Sequence, residues 1–462
     1  DDDDDDDDGY GASYDPEEAR AKKAEWMEEL QRLTQTTSTD PSAVNAAQEI
    51  FDEMFTAYAE SDEAIFFPTV EVYNLILEVH AYSKAPEGGD EAERILGRME
   101  DKSNDFVAPP NEDTYLCVMD AWAMRERPDK VRELLERQEA PSVNVYNKLI
   151  KAYGMAGDLE NAESVFRSLL SDEKANHKSW VQLMKARLSS NSSKNEDSDE
   201  TVQSLFIEME EEGFEPQTSA YNVLIRSISD NYHRGTQEAE ALLFEMIERF
   251  QKGEHHVKPD SDTVRAVLVA YNGRGRKFTA ASVASKVEQL MQIREGLLTR
   301  EEAGSDERIF RLALGIMGRT KDPRKAARAN RLIQKYNGKS LYLNYLVLKA
   351  CAYTDGSSKE KFEAFQVALS MLKDVRASPE LGISSSISGM FIKACSKLMP
   401  AGSKRDDIVK KVFQDCCAQG LVNDFVLNEF GQASSESLRL DILGGSNVDE
   451  AKIPKKWSEN VA

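Results

Sequence analysis

Several residues and patterns are scarce in this sequence of 462 residues, and each scarcity excludes a class of protein. No run of apolar residues approaches the roughly 20 needed to span a bilayer, which predicts a soluble chain with no membrane partner. Five cysteines form no Cys-x-x-Cys pair and no regular framework, which predicts reduced thiols packed within helices. No segment alternates polar and apolar residues with a period of two, so we expect no strands.

Signatures of catalysis and of metal binding are missing as well. The sequence holds neither a phosphate-binding GxxxxGK[S/T] loop nor the GxSxG turn of a serine hydrolase. His255 and His256 lie beside Glu254, but two adjacent imidazoles without a third ligand rarely hold a metal ion. We therefore expect a protein that is not an enzyme and that uses no cofactor, no metal and no small-molecule substrate.

What the sequence does have is a recurring phrase, an aromatic residue followed by Asn or its equivalent and then by aliphatic residues. The phrase is clearest at 72–76, 145–150 and 220–225, with weaker copies at 114–119 and 179–184. Recurrence every 30 to 40 residues or so is typical of a solenoid, whose units bury their apolar faces only by stacking on their neighbours. The aromatic residues of the five copies are Tyr73, Tyr115, Tyr146, Trp180 and Tyr221.

Each unit follows one plan: a first helix opened by the phrase, a short turn and a second helix. The clearest unit spans 143–176, with its turn at Gly157 and Asp158. About nine such units predict an all-α fold, a right-handed α-solenoid, or superhelix, of antiparallel helix pairs. We expect a disordered acidic tail at 1–15, an N-terminal capping helix at 16–41, the solenoid at 42–430 and a C-terminal tail at 431–462.

Charge is distributed unevenly along the chain, whose net charge is -24. Residues 1–260 carry 26 Lys and Arg against 59 Asp and Glu, whereas residues 261–462 carry 32 against 23. Such asymmetry indicates contact with nucleic acid on the basic side. A solvated acidic half that only keeps the protein soluble explains the same asymmetry.

The units resemble pentatricopeptide repeats, a family of roughly 35-residue helix pairs that bind single-stranded RNA. The resemblance covers about 42–430, and segments 391–395 and 415–425 resemble the closing units of such proteins from some algae. It implies a protein of a mitochondrion or a plastid that acts in transcript stabilisation, processing or translation. The deaminase and metallonuclease domains of some relatives are not recognisable, since Cys-x-x-Cys is missing and only about 30 residues follow the array.

In that family two side chains of each repeat meet one base: the Asn of the phrase, or its equivalent, and the last residue of the repeat. The resemblance implies short pyrimidine-containing tracts of single-stranded RNA as the partner, with uracil at the third matched pair. Capping or a local turn bond is the structural alternative for each Asn. The matched pairs are Asn74 with Asn111, Asn147 with Asn176, and Asn222 with Asp260.

Other units depart from this pattern. Leu116 and Val181 stand at the first position and offer no hydrogen bond, while Arg265 and Arg311 stand there in later units. The aliphatic residue that usually lies three positions earlier is absent from every unit. We therefore expect short or shape-driven contact with RNA rather than long, sequence-specific tracking.

Basic stretches offer a second route to RNA. One cluster comprises Arg274, Arg276 and Lys277. A second basic cluster ends at Lys335, and just beyond it Tyr342 and Tyr345 either stack on bases or pack in the core. Residues at three- and four-residue spacing form one helical stripe, which either follows phosphates or is simply a solvated face. That stripe consists of Arg324, Arg328, Arg331 and Lys335.

A function of another class is consistent with the same sequence. A scaffold solenoid, for instance within a mitochondrial ribosome, would bind basic proteins at its acidic N-terminal half. The weak base-reading positions and the acidic half favour the scaffold, whereas the three matched pairs and the basic C-terminal half favour RNA.

Overall fold

The computed structural model describes residues 15–38, 40–61, 64–101, 108–190, 198–229, 235–272, 280–445 and 453–461. Every regular element in these ranges is a helix, which confirms the all-α prediction. The acidic run at 1–8 and the cluster of Arg274, Arg276 and Lys277 lie outside the described residues. None of the described helices is both long and apolar enough to cross a membrane.

The chain forms two compact units, residues 1–223 and 224–462. Helix α11 (Thr218–Ser229) contains the boundary between them. The helices of the first unit are α1 (Pro16–Thr36), α2 (Ala43–Ser61), α3 (Val70–Tyr82), α4 (Gly88–Glu100), α5 (Glu112–Ala123), α6 (Pro128–Glu136), α7 (Val143–Met155), α8 (Leu159–Ser171), α9 (His177–Ser190) and α10 (Ser198–Glu211).

The second unit continues with twelve further α-helices within the described residues. They are α12 (Gly235–Gln251), α13 (Ser261–Asn272), α14 (Ala281–Leu297), α15 (Arg300–Ser305), α16 (Glu307–Gly318), α17 (Lys325–Ile333), α18 (Leu341–Ala352), α19 (Ser358–Ala377), α20 (Ser385–Leu398), α21 (Ser403–Ala418), α22 (Asp424–Ala433) and α23 (Glu436–Leu443). Short 3₁₀ helices lie at Ala64–Phe66, His255–Val257 and Lys455–Ser458.

Each unit has two layers of helices. In the first unit α1, α3, α5, α7 and α9 pack on one another in sequence, and each also packs on the second helix of its own pair. In the second unit α13, α16, α18, α20 and α22 form the corresponding row, while α14, α17 and α19 contact one another as second helices. We call these the first-helix layer and the second-helix layer. The predicted stack of helix pairs is thus confirmed within each unit.

Contacts between successive pairs explain why the phrase begins with an aromatic residue. The ring of Tyr73 lies 5.2 Å from Phe51, a residue of the preceding second helix. Two further copies repeat this arrangement, with the edge of one ring toward the face of the other. They are Phe166 with Trp180 at 4.7 Å and Phe206 with Tyr221 at 5.1 Å. The aromatic position therefore joins one pair to the next.

Glycine permits close approach where the layers turn or touch. Gly157 has φ +77 in the turn between α7 and α8, a left-handed conformation that suits glycine. In α7, a Cβ on Gly154 would lie 2.5 Å from the Cβ of Ala186 on α9. A side chain there would push the two first helices apart.

The described residues near both ends of the chain pack against the helices beside them. Helix α1 packs on α2 and α3 as a first helix does, so it continues the stack. At the other end, Trp457 lies 6.0 Å from the ring of Phe413, and its carbonyl accepts a 2.7 Å hydrogen bond from Val422 N–H. Residues 453–461 therefore pack back against α21, because Trp457 has apolar surface to bury there.

The cysteines lie within the helices as predicted. All five thiols are free, four are buried, and Cys417 is half-buried. Burial raises the pKa of Cys351 and of Cys395 to about 12, so these thiols stay protonated and unreactive at neutral pH.

Candidate nucleic-acid interface

The first matched pair of asparagines is in direct contact. Asn74 on α3 donates from Nδ2 to Oδ1 of Asn111 at 3.3 Å, although 37 residues separate them in sequence. Thr114 donates from Oγ1 to Oδ1 of Asn74 at 2.8 Å. The stacking of α3 on α5 thus brings together two side chains that only the resemblance paired.

The second matched pair repeats this geometry on α7 and α9. Asn147 Nδ2 donates to Oδ1 of Asn176 at 3.4 Å, and Asn147 is 5% exposed. Because Asn176 Oδ1 also accepts from Ser179 N–H at 3.1 Å, the orientation of the Asn147 amide is determined. Its Oδ1 atom is then a buried acceptor with no hydrogen-bond partner. Such an atom costs about 1–3 kcal/mol until a donor reaches it.

The second residue of each pair has a structural role too, because it caps the next first helix. Asn111 Oδ1 accepts from Thr114 N–H at 2.9 Å, and Thr114 Oγ1 accepts from Asn111 N–H, which completes a capping box. The capping alternative is therefore realised at these positions. Side chains at the same register cap four other first helices: Ser142, Asp306, Ser340 and Ser384.

Capping still leaves donors available. The Oδ1 of Asn111 and that of Asn176 are occupied by the helix that follows, whereas no described group accepts from either Nδ2. An amide nitrogen carries two donors, so each cap can still donate to a ligand. Capping and base contact are thus compatible on one side chain.

The third matched pair falls on the two sides of the unit boundary. Asn222 is half-buried on α11, in the first unit. Asp260, in the second unit, caps α13 by accepting from Thr263 N–H at 2.8 Å. Whether the two side chains act together stays a prediction.

The two arginines at the first position pair within their own helices. Arg265 donates to Asp262 at 2.7 Å, and Arg311 lies 3.1 Å from Glu307. The guanidinium of Arg311 also lies 4.7 Å from the ring centroid of Tyr342 on α18. Both arginines belong to the first-helix layer, as Asn74 and Asn147 do.

The basic stripe lies on α17 and at its two ends, in the second-helix layer, and three of its four residues form ion pairs. Arg331 lies 2.8 Å from Glu288 and Lys335 lies 2.7 Å from Glu295, both of which belong to α14. Arg328 pairs with Glu288 and, at 2.8 Å, with Asp322. Arg324 is exposed just before α17. This placement does not support the predicted phosphate-tracking stripe, since most of its charge is neutralised by the neighbouring second helix.

Sequence reasoning missed a different set of cations, one helical turn beyond the first position. Lys151 and its neighbour Lys148 both pair with Asp120 of α5, Lys151 at 2.6 Å. Adding four to each first-position number would have found the set. In the first-helix layer the four-residue step leads to Lys151, Lys185, Arg226, Lys349 and Lys393, whereas from Arg265 and Arg311 it leads to the uncharged Val269 and Gly315.

The same step leads to acidic residues in the two earliest repeats, Glu78 and Asp120. Burial, followed by the nearby charge of Asp120, raises the pKa of Glu78. The acidic part of the first-helix layer is therefore electrostatically crowded before α7 supplies cations. At this step along the first helices the side-chain charge therefore changes from acidic on α3 and α5 to basic on α7.

Two layers of helices, with a capping residue and an amide pair repeated at matched register, define a helical-repeat protein of the α-solenoid class. Residues 145–173, in α7 and α8, match the family model described as PPR repeat. Over 173 residues the chain is 29% identical to a chloroplastic pentatricopeptide repeat-containing protein of Arabidopsis thaliana. The match covers 36% of this chain and 32% of that relative, about a third of its length. The chain is thus similar to pentatricopeptide-repeat proteins over α7 and α8 and over about a third of its length.

Solved structures of that family are also similar to this chain. Pentatricopeptide repeat protein PPR10 from maize is 14% identical, with 90% of this chain and 60% of that chain covered and a TM-score of 0.40. PPR10 in complex with an 18-nt psaJ RNA element is 15% identical, with 87% and 60% covered and a TM-score of 0.33.

Proposed function

We propose that this protein binds short tracts of single-stranded RNA along its first-helix layer, without catalysing a reaction. Its work is then in organellar RNA metabolism, where occupying a strand stabilises a transcript or directs its processing or translation. Plastid and mitochondrion are both open as the compartment; the chloroplastic relative supports the plastid.

The buried, unpaired Oδ1 of Asn147 is the observation that carries the proposal. A pyrimidine presents ring or amino N–H groups on its Watson–Crick edge, and such a donor would satisfy this acceptor. Asn176 Nδ2 lies next to it as a donor, so the pair offers both kinds of hydrogen bond. Lys148 and Lys151 supply positive charge beside the same pair.

Only a few repeats have this arrangement, which supports a short footprint. Asn74 and Asn111 form the same amide pair, but Glu71, Glu78 and Asp113 lie in the same part of the first-helix layer. We therefore place the strongest base contact at α7 and α9.

Substituting Asn147 by Ala tests this placement. The expected result is a loss of roughly 5- to 150-fold in affinity for a selected pyrimidine-rich RNA, which corresponds to one base contact of about 1–3 kcal/mol. Asn161→Ala is the matched control, because Asn161 lies on α8 in the second-helix layer and hydrogen-bonds only Asp158. Equal affinity of both variants would remove Asn147 from the site.

Crosslinking in cells tests the function itself. RNA recovered after digestion, at low and high salt, should form a narrow set of short footprints from one organelle. Recovery of basic proteins without RNA would instead favour a scaffold. One observation favours that second candidate: a groove between α1 and α2 is lined by four acidic residues and one lysine, namely Glu49, Asp52, Glu53, Glu60 and Lys22.

A further inference from the structure

Two neighbouring tyrosine rings, one exposed and one half-buried, lie in the first-helix layer of the second unit. Tyr342 at the start of α18 is 48% exposed, which contradicts core packing as its fate. The rings of Tyr342 and Tyr345 have centroids 6.1 Å apart and planes within 28° of each other. The exposed Tyr342 ring presents a flat apolar face to solvent, on which a nucleobase can stack.

A cation covers one end of this group. The guanidinium of Arg311 lies 4.7 Å from the ring centroid of Tyr342. On the same helix, α16, the carboxylate of Glu307 forms an ion pair with this guanidinium at 3.1 Å. The same carboxylate accepts a 2.8 Å hydrogen bond from Ser340 Oγ, the residue that caps α18. Arg311 is therefore fixed in place over the ring by the structure that begins the next helix.

Register connects the rings to the amide pairs of the first unit. Arg311 and Tyr345 occupy the position that Asn74 and Asn147 occupy, and Tyr342 lies three residues before Tyr345. An arginine plane and two phenol rings replace the amides there. They offer flat π surfaces, which bind the face of a base and do not discriminate its edge.

The surroundings suit a nucleic-acid strand. Tyr353, at the end of α18, is 40% exposed, with Lys393 Nζ 5.6 Å from its ring centroid. Burial raises the pKa of Tyr345, with smaller contributions from the neighbouring phenols of Tyr342 and Tyr353, so the Tyr345 phenol stays uncharged at neutral pH. This surface therefore offers a strand uncharged rings, beside cations that are paired with Glu307 and Glu429.

We propose that Arg311, Tyr342 and Tyr345 form a stacking platform that holds one or two nucleobases of single-stranded RNA by their faces, regardless of sequence. This inference rests on the proposed RNA binding and adds a division of labour. Amide pairs in the first unit read bases, and the platform in the second unit anchors the strand.

The test measures affinity for fluorescein-labelled oligonucleotides of twelve U, twelve C or twelve A. Tyr342→Leu combined with Tyr345→Leu should weaken binding of all three by roughly 5- to 150-fold for each stacked base lost. Tyr342→Phe with Tyr345→Phe keeps the rings and should stay within about twofold of the unmodified protein. Tyr82→Leu is the matched control, since Tyr82 is an exposed tyrosine at the end of α3.

Three outcomes would overturn the platform: a double Leu variant that binds as the unmodified protein does, a loss confined to one base, or an equal loss in the double Phe variant. Ultraviolet crosslinking followed by mass spectrometry adds a readout that does not depend on a variant. It should place a crosslinked base within 341–353, and crosslinks confined to other helices would contradict the inference. An unmodified protein that binds none of the three oligonucleotides would refute the proposed function together with the platform.

Discussion

Asp120 pairs with two lysines that the proposed RNA path needs and offsets one of their two charges, so replacing it with Asn should strengthen RNA binding. The carboxylate is 6% exposed and pairs with both Lys148 and Lys151, whose side chains are 25% exposed. Asn has the same shape but no charge, so both ammonium groups become available to phosphates. The variant should therefore bind more tightly at low salt.

The magnitude follows from counterion release. Each additional phosphate contact on a single strand changes the slope of log affinity against log salt by about -0.7, so two contacts change it by about -1.4. Between about 50 and 300 mM salt, a slope change of this size reduces the variant's advantage about tenfold. Removing one partner of a fully buried ion pair costs about 3–5 kcal/mol. The lysines still reach solvent, so we expect a loss of about 1–3 kcal/mol in the free energy of unfolding.

Fluorescence anisotropy of a labelled pyrimidine-rich oligonucleotide, titrated at several salt concentrations, measures both the affinity and the slope. Asp129→Asn is the control, since Asp129 pairs with Arg127 at 2.7 Å on α6, in the second-helix layer. An unchanged slope in Asp120→Asn would show that RNA does not pass Lys148 and Lys151. The same change in Asp129→Asn would show an effect of net charge alone.

Three further predictions concern stability. Burial raises the pKa of Glu78 in the folded state, so the folded protein binds this proton more tightly than the unfolded chain does. The resulting stabilisation is fully present below about pH 4.5 and is lost as the pH rises through the pKa of the folded state. Glu78→Gln should therefore raise the melting temperature at pH 8 but not near pH 4, and equal shifts at both would contradict the assignment. Trp457→Ala should lower the free energy of unfolding by about 1–3 kcal/mol, because Trp457 packs on Phe413 and is half-buried. Denaturant titration measures this loss, with Val461→Ala as the control. Arg294 is 1% exposed and donates to Ser261 Oγ at 2.9 Å and to the carbonyls of Ala303 and Glu302. Arg294→Met should therefore lower the free energy of unfolding by about 2–4 kcal/mol, and a loss below about 0.5 kcal/mol in the same titration would refute that role.

Local pattern was enough to predict most helices, because helix formation depends on the three- and four-residue spacing of apolar residues. The pattern did not predict α15, because this six-residue helix has no apolar stripe of its own. A Thr299 capping box begins that helix, and buried Arg294 holds its carbonyls from α14. Contacts of this kind join residues that no periodicity relates.

The candidate site shows the same limit. Spacing correctly placed Arg328 and Arg331 on one helix, with Lys335 two residues beyond its end, but spacing does not say which layer that helix joins. Their acidic partners on α14 lie about 40 residues away in sequence, so the ion pairs were not foreseeable. Lys151 was overlooked because its own helix gives no sign of its role. Its charge becomes relevant only when α7 packs on α5 and brings Lys151 to Asp120.

By itself the sequence determined the helical class, the repeating plan and the register of the matched residues, since these depend on the order of residues within one unit. Tertiary structure decided which of those residues meet. Stacking brought Asn74 to Asn111 and Asn147 to Asn176, gave each cap a second role, and left Tyr342 in solvent beside Arg311. The physical reason is that a solenoid builds its surface from neighbouring units, and contacts between residues about 30 to 40 positions apart exist only after those units have packed.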